Sequence, residues 1–259
     1  VRINVRRERI PVDLSLLYVH DIIRPSVSKE ALAKRYGKPI QIGEFGCTSS
    51  RAGARSPSVG SNLGYDGEEQ SRFVEAFMRV LAGRVGQLVN YDSLAAEIGV
   101  SAVTIKHWIS ILEASYIVFA LPPYYRNFGK RFVKTPKVYF FDTGLLVYLL
   151  GIRSPSQVVR DPLFGGIFEN LVVGEVRKKR LNAGLQGGLY FMRDQNGREV
   201  DLVIEEARRL HLYEIKSGME MSPAFVRSLK AYRGVLGEDC LSAAVVYSGV
   251  SNPHLEIPF

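Results

Sequence analysis

Two carboxylates and a lysine stand out at Asp201, Glu214 and Lys216, in stretches that read as strands, Glu199-Val200-Asp201-Leu202-Val203-Ile204 and Leu212-Tyr213-Glu214-Ile215-Lys216. Hard divalent cations such as Mg2+ or Mn2+ are held by carboxylate and carbonyl oxygens. Once held, they help cleave phosphodiesters by polarising the phosphoryl oxygen, generating hydroxide and stabilising the leaving oxygen. Paired acids on neighbouring strands supply such oxygens. Glu214 and Lys216 are two apart, so a strand points both to one face. A lysine there can orient an attacking water and offset phosphate charge. Glu169, in a preceding helical stretch, could add a third acid. The same residues could instead form a salt-bridged cluster at a sheet end, a geometry kept without turnover.

The elements that must position these residues follow in a definite order. Phe164 to Leu181 reads as a helix and Leu189 to Arg193 as a strand. Asn196-Gly197 is a hairpin turn signal, and Glu199–Glu205 and Leu210–Lys216 are the next strands. Pro223 to Leu236 is a helix with proline near its first turn, and Ala243 to Ser248 a last strand. The order αβββαβ predicts an α/β domain with a mixed sheet.

A second group of candidates lies upstream. Phe73, Phe77, Val80 and Leu81 recur at helical spacing. Asn90 to Ser101 reads as a short helix, a glycine stop at Gly99 and a fresh N-cap at Ser101, and a second helix runs to about Ala114. Strands near Tyr116–Leu121 and Lys137–Phe141 then flank residues 122–132, so the outline is a winged helix-turn-helix. Thr104, Lys106, His107 and Ser110 on the second helix, with Arg126, Lys130, Arg131, Lys134 and Lys137 on the wing, are the candidate DNA contacts. Residues 122–137 carry those five basic side chains and no acidic one, interleaved with Tyr124, Tyr125, Phe128 and Phe132. The same aromatics could instead dock this module on a neighbouring domain. Asp142 to Leu150 reads as a helix, Arg153 to Pro162 as a linker, and Arg177-Lys178-Lys179-Arg180 as a solvated helix end where cations complement the dipole.

The strand motifs resemble the Asp…Glu-x-Lys pattern of the restriction-endonuclease-like superfamily. More closely, Phe168-Glu169-Asn170, Tyr139-Phe140-Phe141-Asp142-Thr143-Gly144-Leu145-Leu146 and Trp108-Ile109-Ser110-Ile111-Leu112-Glu113-Ala114 resemble the C-terminal region of a family of prokaryotic AAA-type ATPases. There a P-loop ATPase domain precedes a winged helix and a nuclease-like domain of unassigned function. The resemblance covers about Arg72 to Gly249. It implies Glu169, Asp201, Glu214 and Lys216 as metal or catalytic positions, with Ile215 among the metal ligands and Mg2+ or Mn2+ as cofactor. The family's Gly-x-x-x-x-Gly-Lys-Ser/Thr phosphate loop is not found. Gly37-Lys38 and Gly129-Lys130 lack both the upstream glycine and the following hydroxyl, so no ATP hydrolysis is expected.

Composition bounds the rest. The net charge of +8 favours a nucleic-acid partner, yet residues 1–60 hold 11 Lys/Arg against 5 Asp/Glu, leaving 23 against 21 for the remainder. The basic excess is therefore mainly N-terminal. Two cysteines far apart, Cys47 and Cys240, suggest neither disulfide nor zinc site. No apolar run approaches a membrane span and no leader is evident, so a cytoplasmic protein without membrane contact is expected. Three parts are predicted. Residues 1–70 form an irregular basic segment, poorly ordered over Gly46–Gly67, residues 71–152 a winged helix-turn-helix domain, and residues 163–259 a restriction-endonuclease-like domain. DNA is the expected partner, with a protein partner or self-association as the alternative.

Overall fold

The computed structural model of the chain describes residues 4–5, 67–125 and 133–249. The segment expected to be poorly ordered, apart from Gly67, and the wing residues Arg126, Lys130 and Arg131 lie outside them.

Helix α1 (Gly67–Ala82) buries Val74, Phe77, Met78 and Leu81, a stripe at i, i+3, i+4 and i+7. Phe73 and Val80 only flank it, so the buried face is turned by about one residue from the expected one. Helix α2 (Tyr91–Ile98) is capped by Asn90, whose side chain accepts from the Ser93 amide, and stops at Gly99 in the left-handed region, φ +82°. Ser101 then caps α3 (Ala102–Ala114) by accepting from Thr104 N. Ile105, Trp108, Ile109 and Leu112 of α3 face inward, with Trp108 edge-on to Phe77 at 5.2 Å.

Strands β2 (Val118–Leu121) and β3 (Lys137–Phe140) pair antiparallel, Val118 opposite Phe140 and Leu121 opposite Lys137. Helix α4 (Thr143–Leu149) follows, capped by Asp142. The expected linker holds one short helix, α5 (Pro155–Val158), entered through Gln157 Oε1, which accepts from the Arg153 and Ser154 amides.

The second half is α6 (Phe164–Asn182), β4 (Leu189–Arg193), β5 (Glu199–Glu206), β6 (Arg209–Lys216), a 3-10 turn (Pro223–Val226), α7 (Arg227–Leu236), a further 3-10 turn (Gly237–Asp239) and β7 (Cys240–Tyr247). The sheet is mixed, as expected: β4–β5 and β5–β6 are antiparallel and β6–β7 parallel, and Asn4–Val5 (β1) pairs with the outer side of β7. Leu202, Ile204, Tyr213 and Ile215 pack in one cluster with α6, while Val200, Val203, Leu212 and Val245 pack with α7 on the other face.

One break in alternation matters for the site. Tyr190 pairs with Val203 but Met192 with Val200, so Phe191 of β4 stands opposite both Asp201 and Leu202. This is a β-bulge, which re-aims side chains and increases local twist.

The first cluster is continuous from Val74 in α1 to Val246 in β7, so the helical half and the sheet half share one core. The chain just after β2 also runs along the β4 edge. Tyr124 N donates to Phe191 O at 2.7 Å, Phe191 N to Pro122 O at 3.2 Å and Val133 N to Arg193 O at 3.2 Å. An edge strand that would present unpaired amides is covered in this way. Tyr124 is buried there, edge-on to Tyr190 at 5.2 Å. The basic end of α6 is only partly solvated. Arg180 is buried, donating to Gly187 O at 3.0 Å and pairing with Glu206 at 3.4 Å, because the helix end is tied back to the segment entering β4.

Candidate functional site

The site forms where α6, β3 and the bulged start of β5 meet. Glu169 comes from α6. Its Oε1 accepts from the Tyr139 hydroxyl at 2.5 Å and pairs with Lys137 Nζ at 2.9 Å. Lys137 also pairs with Glu199, its ammonium standing 5.5 Å from the centroid of the Phe191 ring. Arg193 reaches the other oxygen of Glu199 at 2.9 Å. Asn170, next to Glu169 and fully buried, accepts from Phe140 N at 2.7 Å and donates to Phe140 O and Thr143 Oγ1, both at 3.1 Å. Two of the separated motifs read from the sequence, Phe168-Glu169-Asn170 and Tyr139 to Leu146, thus touch one another. Gly86 closes the group from the α1–α2 connection. Its φ is +71°, and a Cβ there would come within 3.4 Å of Glu169 Oε2.

Asp201 links this group to the Glu-x-Lys strand. Its Oδ2 accepts from Ile215 N at 2.7 Å and from Lys216 Nζ at 3.2 Å, and Lys216 pairs with Glu214 at 2.7 Å. Ile215 also offers its carbonyl to Lys216 Nζ at 3.2 Å. Alternation along β6 turns Tyr213 and Ile215 toward α6, so Glu214 and Lys216 leave the strand on the side of Leu212 and α7. Glu214 is buried, and its Oε2 has no hydrogen-bond partner.

Carboxylate oxygens of Glu169, Glu199 and Asp201 lie within 4.8 Å of one another. An all-oxygen donor set at that spacing, with the unpaired Glu214 oxygen nearby, fits a hard divalent cation. Of the expected residues, Glu169 and Asp201 are brought together and Lys216 reaches Asp201, whereas Glu214 stands outside this trio. Glu199 was not foreseen. Its signal was the i, i+2 spacing to Asp201.

Lys137 corrects the sequence reading. Expected on the exposed wing, it is 2% exposed and points into the acids, because β3 packs beside α6 rather than standing clear of the fold. Lys106 is exposed on α3, 5.2 Å from the centroid of Tyr91, and Lys134 is exposed as well.

Burial and charge set the protonation states. Burial lifts the Glu169 carboxyl above its usual range, with Lys137 opposing and Asp201 adding to the rise. Burial and then Asp201 push Glu214 up to about 7, against the pull of Lys216. For Lys137 burial disfavours the ammonium, but Glu169, Glu199 and Asp201 outweigh it and raise its pKa. Lys216 behaves alike, its own burial overcome by Asp201 and Glu214.

With this geometry in view, the chain's similarities are specific in place but silent on activity. Residues 64–156 match the model of a domain of unknown function, DUF8612, and residues 164–257 that of another, DUF4143. Two uncharacterized proteins, from Mycobacterium bovis and Mycobacterium tuberculosis, are each 33% identical to the chain over 171 residues, 66% of this chain and 37% of the relative. The chain thus spans little more than a third of the length of these curated relatives. No solved structure matches it. Among the described residues, no helix is long and apolar enough to cross a membrane.

Proposed function

We propose that this chain is the DNA-associated, nuclease-like part of an AAA-type ATPase, in which a winged helix formed by α1–α3 and the β2–β3 hairpin presents a duplex to a divalent-cation site on a restriction-endonuclease-like domain. The observation that carries the reading is the Asp201 carboxylate at the β5 bulge, shared between the Glu169 and Glu199 acids and the Glu214-Ile215-Lys216 strand. The αβββαβ order supports the fold assignment, and the DUF4143 match supports the ATPase context, since that domain is often found with AAA ATPases. Glu169, Glu199 and Asp201 would hold Mg2+ or Mn2+, with Glu214 and the Ile215 carbonyl close by. When bound, the cation would supply Lewis-acid charge for phosphodiester hydrolysis. Lys216, held by Asp201 and Glu214, would orient a water and meet phosphate charge. Lys106 and Lys134, with Arg126, Lys130 and Arg131 outside the described residues, would hold DNA phosphates.

Nicking of supercoiled plasmid in Mg2+ or Mn2+ tests the reading. Activity should be present in the parent and absent in Lys216→Ala and Asp201→Asn, and activity unaffected by Lys216→Ala would refute it. The buried Lys137 ion pairs and the docked Tyr124 favour a second reading, a non-catalytic module that binds DNA or protein. It predicts salt-dependent duplex binding unchanged by Asp201→Ala, with no nicking at all.

A further inference from the structure

Lys137 reaches the acids from the helical half of the fold, while the carboxylates belong to the sheet half. Its ammonium pairs with Glu169 and Glu199, two of the three acids whose oxygens cluster closely enough for one cation. A lysine ammonium is a compact point charge on a flexible stem, able to stand where an ion would stand and to leave by side-chain rotation.

The charges around it do not close. With all four carboxylates (Glu169, Glu199, Asp201 and Glu214) ionised, they face three cationic side chains (Lys137, Lys216 and Arg193), a formal net of −1. Withdrawing Lys137 and admitting a divalent cation brings the group to zero. Next to Asp201, outside the trio, Glu214 is buried with its Oε2 lacking a hydrogen-bond partner.

We propose that Lys137 is a tethered cation that occupies the divalent-cation position among Glu169, Glu199 and Asp201, so that metal loading requires its withdrawal. This rests on the divalent-cation reading of the site.

Amine labelling of the whole chain, read by mass spectrometry with Mn2+ as the probe, tests this. In EDTA, Lys137 should resist acylation while exposed Lys106 reacts. Saturating Mn2+ should raise Lys137 labelling at least about tenfold and leave Lys106 unchanged, as expected when a ligand selects the withdrawn state. A lysine that merely neutralises charge would stay protected. Mn2+ that binds while Lys137 remains unlabelled would overturn the proposal and leave the metal reading standing. Mn2+ that does not bind at all would overturn both. In parallel, Lys137→Met should bind Mn2+ about tenfold or more tightly than the parent, because the closed competitor is removed, and equal or weaker binding would overturn the proposal. Should that variant not fold, the labelling of the parent decides.

Discussion

Replacing Glu214 by glutamine should stabilise the metal-free protein, and by an amount that depends on pH. The side chain is buried, and burial with Asp201 nearby raises its carboxyl from the usual 4.5 to about 7. Below 4.5 it is protonated in both folded and unfolded chains and contributes no difference. Between 4.5 and 7 the unfolded chain ionises while the folded one keeps its proton, so stability falls as pH rises. Above 7 both are ionised and the full penalty persists. At about 1.4 kcal/mol per pH unit, that window corresponds to roughly 3 kcal/mol. Glutamine keeps the shape and cannot ionise. Urea unfolding in EDTA should therefore show Glu214→Gln close to the parent at pH 5 and more stable by roughly 3 kcal/mol at pH 8. A variant less stable at pH 8, or an equal difference at both pH values, would refute the reasoning.

Two further substitutions probe the frame around the site. Asn170→Ala removes three hydrogen bonds and leaves the Phe140 amide and carbonyl without their buried side-chain partner. It should cost on the order of 3 kcal/mol in chemical denaturation. The β5–β6 hairpin turns on Ala207 and Arg208, both in the left-handed region at φ +49° and +68°. The double change Ala207→Asn with Arg208→Gly supplies residues that adopt this turn readily and should stabilise the fold by about 1 kcal/mol, read as a rise in Tm.

The sheet half was legible because its signals are local. Asn196-Gly197 marks the β4–β5 turn, and the apolar runs of β5 and β6 carry their own strand preference, so the antiparallel pair bearing Asp201 and Glu214 follows from residue types alone. The bulge at Asp201–Leu202 was not legible. It depends on how Phe191 of β4 is matched across the sheet, a long-range register with no residue signature, and it decides that Asp201 faces α6 while Glu214 does not. Lys137 was misread for a related reason. Among the basic residues of 122–137 it looks like one more surface cation, and only the packing of β3 beside α6 makes it the buried partner of Glu169 and Glu199. Arg180 repeats the lesson at the end of α6, where tertiary packing draws in the last arginine of a run whose local pattern suggests solvent.

The central claim is that Asp201 anchors a divalent-cation site, and crystals soaked in Mn2+ test it most directly. The account predicts an anomalous peak in contact with carboxylate oxygens of Asp201 and Glu169, with the Lys137 ammonium moved off both Glu169 and Glu199. Saturating Mn2+ with no peak at Asp201, and Lys137 still paired to both acids, would contradict it.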